Sequence, residues 1–351
     1  MDKIREILKK EITKKGHISI SRFMEISLSD PNEGYYTKQN PLGSDGDFIT
    51  SPDISQIFGE VIGAWALDII IKIDSGGKNF QIIDLGGGKG TLLKDIKRVC
   101  KNRNLSYGFI EINQKLIELQ KKTIPQARHF KSISQLPNNP TIFIGNEFLD
   151  VFPIRQFTKI NEIWQEIFIK QKNDDFQYCY KDIEDTILFN EYQNKIPDNA
   201  DFFEINIMFK KIINDLSTFL KKNNGICLFI DYGYLSGYGN TLQAIKKHKY
   251  VDPLAHPGIS DITSHVNFSH LMYETKKMDM NFFGPVSQRN FLIKLGAFER
   301  LKILKKLTNS EKIIADLEIG LKRIIENTNM GSLFKVCAIT PNQKFIPEGF
   351  D

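Results

Sequence analysis

Cysteine is scarce in this chain. Only four of the 351 residues are cysteine, and they stand far apart as Cys100, Cys179, Cys227 and Cys337. No C-x-x-C pair occurs, so neither a disulfide framework nor a tetrahedral zinc site is indicated. We therefore expect reduced, mostly buried thiols, as in a cytoplasmic protein.

The chain also has no long apolar run and no strong bias of charge. No segment approaches the roughly 20 apolar residues of a membrane helix. The 47 basic and 42 acidic residues are interspersed, which leaves a net charge of +5 but no basic stripe of the kind that binds nucleic acid. The first sixteen residues include Asp2, Glu6 and Glu11 and have no apolar signal segment. Membrane insertion, secretion and a nucleic-acid partner are therefore not expected.

The most informative segment is a glycine-rich turn that follows an apolar run. The run contains Asp84 and leads into Gly86, Gly88 and Gly90, and the next apolar run ends at Glu111. In a doubly wound α/β fold, these positions are the carboxyl ends of the first two strands, where a nucleoside binds. Glycine lets the backbone turn tightly and approach a ligand. The second acid is placed to accept hydrogen bonds from two ribose hydroxyls.

The spacing of the glycines separates several nucleoside-binding classes. A dinucleotide site has G-x-G-x-x-G/A, but Thr91 stands at the last position here, and no P-loop pattern occurs. This disfavours a nicotinamide-dependent oxidoreductase, which we keep as an alternative. An acid followed by G-x-G-x-G is typical of methyltransferases that use S-adenosylmethionine. A glycine-rich turn without a ligand is a further alternative, which Glu111 makes weaker.

Strands and helices alternate from residue 80 onward, which predicts right-handed βαβ units and a parallel sheet. The predicted strands are 80–85, 107–111, 128–130, 141–145 and 225–231, with helices at 91–100, 114–122 and 206–222. Before them, helices are expected at 4–16, 22–27 and 55–73, with loops at 30–47 and 74–77. Residues 156–180 alternate as in an antiparallel hairpin. Residues 232–285 are predicted to be a loop-rich interruption of the sheet, 300–328 a helix and 332–339 the last strand.

Two acids follow the predicted strand 141–145 directly. Methyl transfer is an in-line displacement, so the enzyme mainly positions the nucleophile. A carboxylate here can orient the attacking nitrogen or accept its proton. Glu147 is our first candidate and Asp150 the second, with Asn146 beside them. The alternatives are a solvated loop acid for Glu147 and an acid at a helix N-terminus for Asp150.

The segment 46–52, GDFITSP, allows two interpretations. Its polar and aromatic residues, including Thr50 and Ser51, are placed to close over a bound nucleoside. Alternatively, Ser51 before Pro52 simply marks the start of a helix.

A histidine- and aspartate-rich segment follows later in the chain. It holds His248, Asp252, His256, Asp261 and His265, but no H-E-x-x-H or closed tetrahedral spacing. We therefore expect no metal site. We favour a polar loop that lines the substrate cleft, with structural hydrogen bonding as the alternative.

Several further blocks of sequence carry a resemblance to a known family. The chain resembles the MidA-type methyltransferases, the family of the mitochondrial complex I assembly factor that methylates arginine. The matching blocks, in family order, are 30–36 DPNEGYY, 46–60 GDFITSPDISQIFGE, 84–92 DLGGGKGTL, 146–153 NEFLDVFP, 230–233 IDYG, 239–244 GNTLQA and 256–263 HPGISDIT. The resemblance implies an S-adenosylmethionine-dependent arginine methyltransferase acting on a subunit of respiratory NADH dehydrogenase.

The expected fold is therefore α/β, a class I methyltransferase (Rossmann-like) doubly wound sheet with an N-terminal helical extension and an inserted substrate-recognition region. Residues 1–77 would form the extension and a cofactor-covering loop. Residues 78–351 would form the methyltransferase domain, with insertions at about 156–205 and 232–290. Homodimerisation stays open, and a catalytically silent assembly chaperone that binds S-adenosylmethionine is the alternative function.

These arguments together assign roles to twelve residues. The expected cofactor-binding residues are Asp84, Gly86, Gly88, Gly90, Glu111, Thr50, Ser51 and Asn146. Glu147 and Asp150 are expected to be catalytic, and Asp261 and His265 to bind the substrate. The carboxylates among these four can hold a guanidinium by two hydrogen bonds.

The chain departs from the family pattern in a few positions. The family's first turn usually reads ELGPGRG, whereas Asp84, Gly87 and Lys89 replace its Glu, Pro and Arg here. The acid and the three spaced glycines survive, so cofactor binding is little threatened. Asn240 stands where the family tends to have Asp. The chain begins almost at the first family block, so we expect a bacterial cytoplasmic protein, with the mitochondrial matrix as the alternative.

Overall fold

A small bundle of helices precedes the α/β core. The computed structural model describes residues 3–38, 49–73, 78–196, 198–236, 238–341 and 345–351. Helix α1 buries Ile4, Leu8 and Ile12 on one face, and the side chain of Ser19 caps α2. A short helix lies in the predicted loop 30–47, whose residues 39–47, like 74–77, lie outside the described ranges. The elements are α1 (Lys3–Lys15), β1 (Ile18–Ser19), α2 (Ile20–Ser29), α3 (Tyr35–Lys38), α4 (Ser51–Ile54) and α5 (Gln56–Lys72).

The first half of the core follows the predicted alternation of strands and helices. All four strands are parallel to their neighbours. All five residues of β2 are buried, including the polar Gln81 and Asp84, because a parallel sheet is covered on both faces. The elements are β2 (Gln81–Leu85), α6 (Thr91–Val99), β3 (Ser106–Ile110), α7 (Gln114–Thr123), β4 (Arg128–Phe130), a 3₁₀ turn (Ile133–Gln135) and β5 (Thr141–Asn146).

The predicted antiparallel hairpin is confirmed and is part of a larger sheet. β7 pairs with β6, with β8 and with β1 of the N-terminal extension, and β6 also pairs with β9. Glu166 to Ile169 of β7 are buried in succession, so the middle of this strand is covered on both faces and its burial does not follow the period-two pattern of the sequence. The elements are β6 (Ile154–Ile160), β7 (Ile163–Lys172), β8 (Asp175–Lys181), α8 (Thr186–Gln193) and β9 (Phe202–Asn206).

The C-terminal third departs most from prediction. The first elements are α9 (Phe209–Asn223), β10 (Gly225–Tyr234), β11 (Gln243–Lys246), β12 (Lys249–Val251), β13 (Asp261–Thr263), β14 (Val266–Asn267), α10 (Phe268–Lys277) and β15 (Asn281–Ser287). The loop-rich prediction for 232–285 is wrong, because β11, β12 and β13 form a separate sheet and β15 joins the central one. Strands of two to four residues between glycines and prolines are too short to show a period.

The predicted helix at 300–328 is also wrong as a single element. It is two helices, and Ser310 accepts a hydrogen bond from the amide of Ile313 to start the second of them. The remaining elements are α11 (Gln288–Lys294), α12 (Ala297–Lys306), α13 (Glu311–Ile325), α14 (Met330–Leu333) and β16 (Phe334–Thr340). No helix within the described ranges is long and apolar enough to cross a membrane.

The central sheet brings four strand ends to one edge. Its order is β4-β3-β2-β5-β10-β16-β15, and β16 runs antiparallel to both of its neighbours. One face packs on residues such as Trp65 of α5 and the other on residues such as Phe209 of α9. The carboxyl ends of β2, β3, β5 and β10 therefore meet where open α/β sheets bind ligands.

Candidate active site

A cavity of about 260 Å³ lies at this edge of the sheet. Of the described residues that line it, six are acids and one, Lys89, is basic. Among the wall residues are Tyr36, Thr50, Asp53, Asp84, Gly86, Gly88, Glu111, Ile112, Asn146, Glu147, Asp150, Tyr232 and Asp261. The structure thus brings together most of the residues that the sequence singled out.

The glycine-rich turn forms one side of the cavity. Gly86, Gly88 and Gly90 all have positive φ values, of 63°, 53° and 82°. At Gly87, a Cβ would lie 2.5 Å from Asp84 Oδ2 and 2.7 Å from Phe109, so a side chain at this position would require Asp84 or Phe109 to shift. Gly90 precedes α6, where a Cβ would lie 3.1 Å from Phe109, and it is not among the described lining residues.

Glu111 lies at the end of β3, on the same side of the cavity. Its Oε1 accepts hydrogen bonds of 2.9 Å from the amides of Ile112 and Asn113, whereas Oε2 has only a 3.4 Å contact with Gln120. Burial raises the pKa of Glu111, and the two backbone amides act in the opposite direction. The weakly bonded Oε2 is the atom suited to accept ribose hydroxyls.

Asp84 lies beneath the turn in a position that burial makes unfavourable for a charge. Its Oδ2 is buried with no hydrogen-bond partner among the described residues. Burial, and then the charge of Glu111, raise the pKa of Asp84 well above its usual range. An unpartnered buried acceptor costs stability. The Asp84 oxygen, the glycine turn and Glu111 together fit a polar, hydroxyl-bearing nucleoside such as S-adenosylmethionine.

Glu147 lines the cavity directly after β5 and has a strained conformation. Its φ is +52°, which side chains other than glycine rarely adopt, and its amide donates to Ile230 at 2.9 Å. Oε1 accepts hydrogen bonds from the Ser51 amide at 3.3 Å and the Asn146 side chain at 3.1 Å. Oε2 has no donor within the described chain and is not fully buried, so it is accessible to a ligand. Burial and the neighbouring Asp150 raise the pKa of Glu147 to about 8.

Asp150 is held in place by a tyrosine. The hydroxyl of Tyr232 donates to Asp150 Oδ2 at 2.6 Å, and burial raises the pKa of Asp150 to about 6. Asp150 lies in a turn and no helix begins there, so the helix-terminus interpretation is wrong. The solvated-loop alternative for Glu147 is likewise contradicted by its enclosed position on the cavity wall.

Asp231 fixes the loop that carries both acids. Its Oδ2 accepts hydrogen bonds from the backbone amides of Phe148, at 3.1 Å, and Leu149, at 2.8 Å. Its Oδ1 accepts one from the backbone amide of Tyr232, at 2.9 Å. Asp231 was not predicted as a site residue, although it lies in the IDYG block.

A second tyrosine–aspartate pair closes the cavity from the N-terminal extension. The hydroxyl of Tyr36 lies 2.8 Å from both carboxylate oxygens of Asp261. The backbone carbonyl of Tyr36 accepts from the side chain of Asn113, next to Glu111. Tyr36 and Tyr232 were both missed as site residues, and the available signal was their place in the DPNEGYY and IDYG blocks.

The segment before α5 contacts both sides of the cavity. Thr50 lies on the cavity wall, and the Ser51 amide donates to Glu147. Asp53 accepts from the Thr91 hydroxyl at 2.9 Å and lies 3.9 Å from Lys89. A helix does start here as the second interpretation predicted, because α4 begins at Ser51 with Pro52 next; its N-cap, however, is Thr50, whose side chain makes no capping bond. Residues 46–48 lie outside the described ranges.

The histidine- and aspartate-rich segment is spread out in space. Of its five members, Asp261 alone is among the described residues that line the cavity. His265 lies behind Tyr232, with ring centroids 5.3 Å apart, and burial lowers its pKa. Asp252 accepts from the Leu254 amide at 2.8 Å, a structural role. Within the described ranges, no three His, Cys, Asp or Glu side chains are placed to hold a metal.

The fold and the site define a class I methyltransferase, and comparisons with known proteins agree. A family described as S-adenosyl-L-methionine-dependent methyltransferase matches residues 61–286. The curated proteins include the mitochondrial protein arginine methyltransferase NDUFAF7 of Bos taurus, 31% identical over 95% of this chain and 82% of its own length. The human protein of the same name is 30% identical with the same coverage.

The solved structures show the same fold. A COG1565 superfamily member from Burkholderia thailandensis, described as a likely methyl transferase bound to S-adenosyl-homocysteine, superposes with a TM-score of 0.87. It is 22% identical, and the match covers 99% of this chain and 94% of that one.

The chain therefore belongs to the family of S-adenosylmethionine-dependent methyltransferases that includes the protein arginine methyltransferase NDUFAF7. The resemblance to MidA-type enzymes is confirmed, and the oxidoreductase alternative is not supported. The expected bacterial cytoplasmic location is wrong by this comparison, since the curated relatives are named as mitochondrial proteins. Scattered cysteines distinguish a reducing from an oxidising environment but not one reducing compartment from another.

Proposed function

We propose that this chain transfers the methyl group of S-adenosylmethionine to an arginine of a protein, specifically a subunit of respiratory NADH dehydrogenase. The observation that carries this proposal is Glu147, whose Oε2 is accessible, accepts no hydrogen bond within the described chain and lines the cavity near Asp150. The subunit is suggested by the family resemblance and by the name of the curated relatives.

A guanidinium suits this wall better than a neutral acceptor. The described wall carries six acids and one lysine, so ionising the acids on the acceptor side is unfavourable until a cation enters. The guanidinium keeps its charge at physiological pH and presents a planar fork of donors that a carboxylate can hold by two hydrogen bonds. Glu147, Asp150 and Asp261 are the carboxylates we assign to it.

We assign cofactor binding and acceptor binding to two different groups of cavity residues. When bound by Gly86, Gly88 and Glu111, S-adenosylmethionine would supply a methyl group activated on a sulfonium. Asp150 and Asp261, each held by a tyrosine hydroxyl, would keep the positive charge away from the attacking nitrogen. Oε2 of Glu147 would orient that nitrogen and accept the proton that it loses.

The direct test uses respiratory NADH dehydrogenase purified from cells that lack this protein. The enzyme complex is incubated with the purified protein and methyl-labelled S-adenosylmethionine, hydrolysed, and analysed for labelled amino acids. Labelled methylarginine in one subunit supports the proposal. Label on another amino acid contradicts the arginine assignment, and cofactor binding without any label favours a silent assembly chaperone.

The role of Glu111 can be tested by binding alone. Replacing Glu111 by Ala removes the acceptor of the ribose hydroxyls and should weaken S-adenosylmethionine binding by about 1–3 kcal/mol. Because Glu111 also holds two backbone amides, Glu111→Gln serves as the milder variant that keeps an acceptor oxygen and should lose less. The measurement is isothermal titration on proteins whose thermal unfolding is recorded in parallel, and unchanged affinity in folded Glu111→Ala would refute the assignment.

The pH dependence of catalysis follows from the raised pKa of Glu147. Burial and Asp150 raise this pKa to about 8, and the carboxylate, the form that can accept a proton, exists above it. We therefore expect kcat/KM at saturating cofactor to rise with pH, with a midpoint near pH 8. Glu147→Gln should lack this rise. A profile that stays flat between about pH 6 and pH 9 would contradict the role, provided that cofactor affinity, titrated separately, is constant.

A further inference from the structure

The hairpin formed by β11 and β12 ends in an exposed basic turn. Residues 246–250 read KKHKY, and we name them the basic hairpin tip. Lys247, His248, Lys249 and Tyr250 are exposed, and Tyr250 keeps 75% of its surface accessible. The tip therefore places two lysines, a histidine and one aromatic ring at the protein surface.

The tip is built in a way that is locally unfavourable. Its two turn residues, Lys247 and His248, have φ values of +49° and +60°, a hairpin turn that normally selects Asn-Gly. Lys246 and Lys249 lie directly opposite each other in the ladder, and like charges at such positions destabilise a hairpin. Departures from local preference of this kind concentrate at functional sites.

The tip extends from the small sheet that supplies Asp261 to the cavity. β11 pairs with β13, and Ile245 is the register partner of Asp261. Lys247 follows Ile245 by two residues and begins the turn that ends β11. The basic hairpin tip thus follows directly on the strand partner of Asp261, the cavity acid that we assign to the acceptor.

We propose that the basic hairpin tip binds acidic side chains that flank the target arginine of the protein acceptor. This inference rests on the proposed function, since it assumes that a polypeptide enters the cavity beside Asp261. The cavity is acidic and the tip is basic, so the surface complements a segment with a cation at the methylated position and anions close to it. Such charge pairing guides the encounter and selects among arginines.

The test uses two synthetic peptides of equal length with a single central arginine. In one the arginine is flanked by glutamates, and in the other by glutamines. Binding is measured by fluorescence anisotropy in the presence of S-adenosylhomocysteine. We expect the wild-type protein to prefer the glutamate peptide by about three- to tenfold at low salt, since a few exposed ion pairs supply that much. The preference should shrink as salt is added.

Charge reversal at the tip should remove the preference. The variant is Lys247→Glu with Lys249→Glu, and the matched control is Lys221→Glu with Lys222→Glu. The control changes net charge equally, but its exposed lysines lie before β10, at the end of that strand opposite Tyr232 and the cavity. A second variant, Lys247→Asn with His248→Gly, should raise the melting temperature by relieving the turn and still reduce the preference.

Each other outcome counts against the inference. A wild-type protein without the preference, a tip variant that keeps it, or an equal loss in the control would overturn the inference. So would a tip variant that loses affinity only for single-stranded RNA or for anionic vesicles. Failure of the proposed function is separate, and would show as a glutamate peptide that binds through the tip but never gains a methyl group.

Discussion

Glu147→Gln should reduce methyl transfer by roughly 10²- to 10⁴-fold, the usual loss when a positioned acid–base group is removed. The substitution preserves shape, and its amide oxygen can still accept from Ser51 and Asn146, as Oε1 does now. It removes the accessible carboxylate oxygen that would take the proton of the attacking nitrogen. Affinity for S-adenosylhomocysteine should hardly change, because we assign the cofactor to the turn at Gly86–Gly88 and to Glu111, which follow β2 and β3 rather than β5. Turnover on the methylated subunit and cofactor titration are the two measurements.

Asp150→Asn is the matched comparison for this result. The side-chain oxygen of an asparagine can still accept a hydrogen bond from the Tyr232 hydroxyl. This contact therefore survives, and the loss of methyl transfer should be smaller than in Glu147→Gln. Full turnover in Glu147→Gln would move the proton-accepting role to Asp150 or Asp261. Equal losses of turnover and cofactor affinity would mean that the substitution had disturbed the whole site.

The central sheet could be predicted from the sequence because its strands are buried on both faces. β10 contains the apolar run Ile226–Ile230 and β5 the shorter run Ile142–Ile144, while β2 has Ile82 and Ile83 between two polar residues; turn residues bound all three, and such runs are visible without a structure. β11 to β13 are three or four residues long, which is too short for any period to appear. β15 was not predicted for another reason: its residues are at most partly buried, and Gly284 and Pro285 interrupt its sequence pattern.

The candidate site divides in the same way. Gly86, Gly88, Glu111 and Glu147 sit at strand ends, and the topology of a parallel sheet alone brings them to one edge. Tyr36 and Asp261 are 225 residues apart in the chain and meet only through tertiary packing. Their pairing therefore has no local signature. His265 is the converse case. It is close to Asp261 in sequence, but its ring packs against Tyr232 and it is not among the described residues that line the cavity.

Gly88→Val should abolish cofactor binding. We expect the affinity for S-adenosylhomocysteine to fall by more than about 100-fold, which corresponds to about 3 kcal/mol. Gly88 lines the cavity with φ at +53°, and its carbonyl accepts from the side chain of Gln120 at 2.8 Å. A β-branched residue is poorly tolerated at this φ, and the turn would change shape to accommodate it. The added methyl groups would also occupy the wall against which the ligand must lie.

Gly16→Val separates loss of the site from general backbone strain. Gly16 has φ at +80°, ends the first helical segment and has open space where a Cβ would be placed. The same substitution there carries a comparable strain of roughly 1–3 kcal/mol but lies outside the cavity wall. Both variants should lower the melting temperature by similar amounts, whereas only Gly88→Val should lose the titration signal. If Gly88→Val binds the cofactor normally, the glycine turn is not the cofactor site; if Gly16→Val also loses binding, backbone strain rather than the turn explains the effect.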